Sequence, residues 1–176
     1  MYNIFICVLI LFYFSSFNMV SSCIEQTMVK EVGVREATGN NDGKRVGEYQ
    51  KTTNNKAGDS WCASFVKWCF NQCGISTPIT GWSPSAENRK NLVYKNSRFY
   101  QEPKTGDVFT VYSVSKKRIV HTGFYYKFYN SRIYESIEGN TSPSAVLGSK
   151  SDVNGNGVYK KLRSYHSTYS ISRWFN

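Results

Sequence analysis

The stretch Ser60-Trp61-Cys62-Ala63-Ser64-Phe65-Val66-Lys67-Trp68-Cys69-Phe70-Asn71-Gln72-Cys73 decides how the rest of the chain reads. Counted from Cys62, apolar residues recur at offsets of three, four, seven and eleven (Phe65, Val66, Cys69, Cys73), which is one stripe of an α-helix. Ser64, Lys67 and Asn71 fall off the stripe. Asp59 or Ser60 suits the N-cap, and Gly74 suits a left-handed stop after the last turn. Cys62 is thereby expected in the first turn, on the face that points into the fold.

Outward from this helix, residues 24–34 are weakly helical and residues 39–43 form a loop rich in Gly and Asn. A short helix is expected at 44–50, and loop with a second short helix at 81–92. Beyond Pro103 the character changes: 107–114, 119–127, 132–138, 157–163 and 169–174 are rich in β-branched and aromatic residues, with turn signals between them. Helices first and strands second give an α+β layout, with N-terminal helices packed on an antiparallel sheet of about five strands. A chain of 176 residues, 40% apolar and 16% aromatic, suits one domain with one core, here residues 24–176.

The formal net charge is +10, yet the basic residues are scattered (Lys44, Lys90, Lys116, Lys160), with no basic stripe and no zinc-finger or RNA-binding signature. Nucleic acid is therefore not an expected partner. An unbroken apolar run at 4–14, followed by a polar, small-residue region, reads as a signal peptide over 1–22 and implies export to the periplasm or cell envelope, or secretion. Val20-Ser21-Ser22-Cys23 resembles a bacterial lipobox, in which Cys23 would carry a lipid and tether the protein to a membrane. Ordinary cleavage near Ser22 is the other reading. Cys69 and Cys73 lie four apart on one helix, a poor geometry for a bridge between them, and read as small buried apolar residues. With two histidines and no Cys-x-x-Cys, no metal site is expected.

A cysteine is a nucleophile only as thiolate, and a helix N-terminus and a nearby imidazole both favour that form. Cys62 has the first by position. His121 is the better base, since it lies in a strand pattern beside the small residues Thr122 and Gly123, whereas His166 sits in a polar turn. Glu138 and Asn140 flank Gly139 at the end of the next strand, where either could orient the imidazole if strand geometry persists to position 140.

Four stretches carry a family resemblance. Residues 58–68 resemble the nucleophile helix of CHAP domains, the cysteine- and histidine-dependent amidohydrolase/peptidase family. Pro103-Lys104-Thr105-Gly106-Asp107 looks like its Pro-x-x-Gly-Asp lead-in, His121-Thr122-Gly123 like its His-Val-Gly strand, and Glu138-Gly139-Asn140 like its Glu-Gly-Asn motif. The match covers about residues 30 to 145, in the family's order. It implies a papain-like fold, Cys62 as nucleophile, His121 as base, and Glu138 with Asn140 as its polar partners. It also implies cleavage of peptide or amide bonds in bacterial peptidoglycan without a cofactor. Asp42 and Tyr49 resemble an N-terminal portion of the family that lies near the groove, and Trp61 and Trp82 are expected either in that groove or in the core. Thr122 departs from the family's usual Val or Ala. The competing function is an inactive peptidoglycan-binding lipoprotein. A monomer is the default state, and an immunity protein enters as partner where the target is a competitor's wall.

Overall fold

The computed structural model describes residues 19–143 and 155–175. The apolar run at 4–14 and Cys7 lie outside the described residues. Residues 19–30 form a helix, α1, followed by α2 (Lys44–Lys51) and α3 (Cys62–Gln72). The strands are β1 (Leu92–Lys95), β2 (Arg98–Phe99), β3 (Val108–Ser113), β4 (Arg118–Asn130), β5 (Ile133–Thr141), β6 (Gly157–Ser164) and β7 (Ser170–Ser172). They form one antiparallel sheet in the order β2-β1-β7-β3-β4-β5-β6. The α+β class holds, but the sheet has seven strands rather than about five. The addition is the β1–β2 hairpin, which turns on Asn96 and Ser97, both at positive φ. Residues 81–92 hold a 3-10 turn (Ser83–Ala86) in place of the expected short helix.

The helices and one set of sheet side chains share a core. Phe65, Val66, Cys69 and Phe70 of α3 pack with Ile24 and Met28 of α1, and with Val108, Phe124, Ile137 and Val158 from the sheet. Phe109, Tyr125, Tyr134 and Ile171 belong to a second cluster, together with Val93, Tyr94 and Tyr165. The alternation of Val108 with Phe109 and of Phe124 with Tyr125 sorts neighbouring residues into the two clusters, as a pleated strand requires. Helix α3 sits close on β5 because position 139 has no side chain. A Cβ on Gly139 would lie 2.7 Å from Phe65 Cβ and 2.7 Å from Trp61 Cζ3.

Two readings of the cysteines are corrected. Cys73 is not a free buried thiol: it forms a disulfide with Cys23, at a Cα–Cα distance of 5.8 Å. The bridge joins α1 to the residue after α3, partners fifty positions apart that share no local signal. It also engages the sulfur that a lipid on Cys23 would need, and the lipobox-like stretch lies inside α1. Cys69 is buried and free as expected. Among the described residues no helix is long and apolar enough to cross a membrane.

A bridge that closes a long loop restricts the unfolded chain by about 2–4 kcal/mol. Replacing Cys23 and Cys73 together with Ser should lower stability to denaturant by that order. Dithiothreitol should then lower the melting temperature of the parent but not of the variant.

Candidate active site

The first residue of α3 is Cys62, at the end where a helix's N–H groups and dipole favour a negative charge. Neither Asp59 nor Ser60 caps this terminus. The N-cap residue is Trp61, with no side-chain cap of its own. A distant strand does that work: Asn140 Oδ1 accepts a hydrogen bond from Trp61 N at 3.1 Å. Asn140 Nδ2 donates in turn to Asn41 Oδ1 (2.7 Å) and to Gly155 O (3.0 Å). Asn140 stands at φ 56°, and the β5–β6 pairing shifts register between Glu138 and Thr141. Strand geometry therefore does not persist to position 140. Asn140 is bonded to the helix start, and His121 is left to Glu138.

His121 and Glu138 come together as expected, with His121 Nε2 2.9 Å from Glu138 Oε2. Glu138 is fully buried and accepts from Arg163 Nε (2.7 Å), Arg163 Nη2 (2.5 Å) and Ser136 Oγ (2.5 Å) as well. Burial alone would raise its pKa, but the Arg163 guanidinium and His121 hold the carboxyl well below the usual range. An ionised carboxylate only accepts, so Nε2 of His121 carries a proton and Nδ1 is the nitrogen available to Cys62.

The Cys62 thiol is buried, at 3% exposure, and His121 at 1%. Burial pushes the thiol up, yet hydrogen bonds and charge from His121, with Ser83 and the Thr122 backbone N–H, outweigh it and bring the net shift down. Burial pushes the imidazole down, yet Cys62 and Glu138 outweigh it and raise it to about 9. Both directions favour the thiolate–imidazolium form of the pair over the neutral one, with the two protons titrating together.

Sequence reasoning missed Ser83 and Arg163. Ser83 Oγ lies 3.4 Å from Cys62 Sγ, on the 3-10 turn after Trp82. Arg163 lies buried on β6 between the half-buried Leu162 and Ser164, and in the sequence nothing sets it apart from the other scattered cations. The signal that could find it is the need of a buried Glu138 for a positive partner on the neighbouring strand. Thr122 is accommodated because its hydroxyl donates to Phe109 O at 2.7 Å.

The expected groove residues divide. Trp82 is 61% exposed and adjoins Ser83, which fits a groove wall. Trp61 is buried, stacked on Tyr49 at 5.5 Å, and donates from Nε1 to Glu36 Oε1 at 2.8 Å, so it is a core residue. Tyr49 is buried too, with its hydroxyl bonded to Glu31 and its ring edge-on to Phe65 and Trp68. Asp42 closes its own loop by accepting from Thr38 N (2.9 Å) and Thr38 Oγ1 (2.8 Å). From that loop it is Asn41 that reaches Asn140. No three His, Cys, Asp or Glu residues among those described are grouped to hold a metal ion.

Iodoacetamide, small enough to enter a confined site, should alkylate Cys62 with a pH midpoint below that of a free cysteine. In His121→Ala the burial effect stands without its main counterweight, and the midpoint should rise above the free-cysteine value. An unchanged midpoint in that variant would show that the imidazole does not set the thiol's charge.

The sequence matches no family model, and no curated protein matches it.

Proposed function

We propose that the chain is an exported, papain-like cysteine hydrolase of the CHAP type that cuts peptide or amide bonds in bacterial peptidoglycan. The observation that carries this reading is the buried chain of contacts Cys62–His121–Glu138–Arg163, with the sulfur at a helix N-terminus. A structural cysteine has no use for a charged imidazole fixed by an ion pair behind it. The four motif resemblances supply the substrate class. Export is supported by the apolar leader and by a disulfide, which persists in oxidising compartments.

In this mechanism Cys62 Sγ attacks the carbonyl carbon, a C–S bond forms, and the carbonyl oxygen becomes an oxyanion. The Cys62 backbone N–H and Ser83 Oγ are the donors proposed to hold it. As the C–N bond breaks, His121 Nδ1 passes its proton to the departing amine. Water then attacks the thioester, with His121 taking its proton. The acid leaves, and the thiolate and imidazolium are restored. Glu138 stays ionised throughout and stabilises the imidazolium it orients.

Digestion of purified peptidoglycan by the parent and by Cys62→Ala, with fragments read by mass spectrometry, tests the reading. New fragments are expected from the parent alone, and their termini identify the scissile bond. If both proteins are folded and bind the wall yet leave it intact, the inactive-binder reading replaces this one. A second expectation concerns pH. The rate should fall on the acid side as Cys62 is protonated. On the alkaline side it should fall near pH 9, as His121 loses the proton that the leaving amine needs.

A further inference from the structure

The contacts around Cys62 leave a large neighbouring feature unused. A cavity of about 810 Å³ opens onto His121, and Cys62 is not among its lining residues. Buried His121 and Arg163 form its floor, while exposed Lys116 and His166 stand at its rim. One wall is aromatic: Tyr112 and Tyr169 stack with ring centroids 5.0 Å apart. None of the lining residues is acidic. Arg163 is committed to Glu138, but Lys116 makes no ion pair among the described residues. The volume is that of a site for a small molecule or a short peptide segment.

The chemistry assigns a side of the substrate to this cavity. The group that gives its proton to the departing amine is His121, so the leaving portion of a cleaved peptide lies on the His121 side. The leaving portion is the C-terminal one, and its far end is a carboxylate. An acid-free cavity beside His121, with the Lys116 ammonium and the His166 imidazole at its rim and an aromatic wall, matches that charge and that shape.

We propose that this cavity seats the carboxylate-bearing leaving segment of an anionic peptide substrate. Lys116 and His166 hold the carboxylate, and the Tyr112–Tyr169 pair covers the apolar side chains before it. The assignment rests on the hydrolase reading above and narrows its substrate to peptides with a free carboxylate close after the scissile bond.

The test is calorimetric titration of full-length Cys62→Ala with N-acetyl-lysyl-D-alanyl-D-alanine and with its C-terminal amide, alongside peptidoglycan digestion by the parent. The acid should bind about tenfold or more tighter than the amide, as expected for one charged hydrogen-bonded contact. Added Lys116→Ala or His166→Ala, both at exposed turn positions that leave the fold undisturbed, should bring the acid down toward the amide. Equal binding of acid and amide, no binding of either, or indifference to both substitutions overturns the proposal. If the parent digests the wall without any such preference, the cavity assignment alone fails. Carboxylate-selective binding with an intact wall keeps the anion pocket and removes the hydrolase.

Discussion

A carboxylate with no access to water stays charged only if donors surround it, and Glu138 is held in that state by four hydrogen bonds from His121, Arg163 and Ser136. These residues lie on β4, β5 and β6, so the charge that fixes the imidazole also ties three strands side by side. Its space is reserved by Gly123, where a Cβ would come within 2.9 Å of Glu138 Cγ. Removing the negative charge would weaken the imidazole's hold on its proton, and with it the charge that lowers the Cys62 thiol. Contacts among three strands and the charge balance of the Cys62–His121 pair thus meet at one side chain.

Two residues further along, the same strand changes task. Gly139 lets α3 approach, and Asn140, in the left-handed region, gives its carbonyl oxygen to the first N–H of the helix start. A tripeptide therefore positions both halves of the site: Glu138 the imidazole, Asn140 the helix that presents the sulfur. The two side chains serve opposite partners because the strand breaks its alternation between them.

What was legible in the sequence follows from the range of each signal. Helix α3 and strands β3 to β7 have strong local periodicity, and their expected positions agree closely with those observed. Pairing His121 with Glu138 was within reach because adjacent antiparallel strands bring those positions together. The β1–β2 hairpin was lost because strands of four and two residues carry too little alternation to stand out. Tyr49 and Asp42 were expected near a groove by resemblance, and Trp61 either there or in the core, because an aromatic side chain reads alike in a wall or a core. The deciding partners, Glu36, Glu31 and Thr38, are not visible from composition. The Cys23–Cys73 bridge is a long-range fact that only the folded chain displays, and Arg163 could be found only from the need of a buried Glu138 for a cation on the next strand.

The bridge also gives the protein a history. A thiol pair on α1 and at the end of α3 closes only where electrons are drawn away, so a chain still among cellular reductants carries α3 without that covalent tie. That constraint is acquired only where the surroundings oxidise thiols. On the exported reading proposed above, the chain is at its loosest beside the machinery that made it, and at its firmest where its proposed substrate lies.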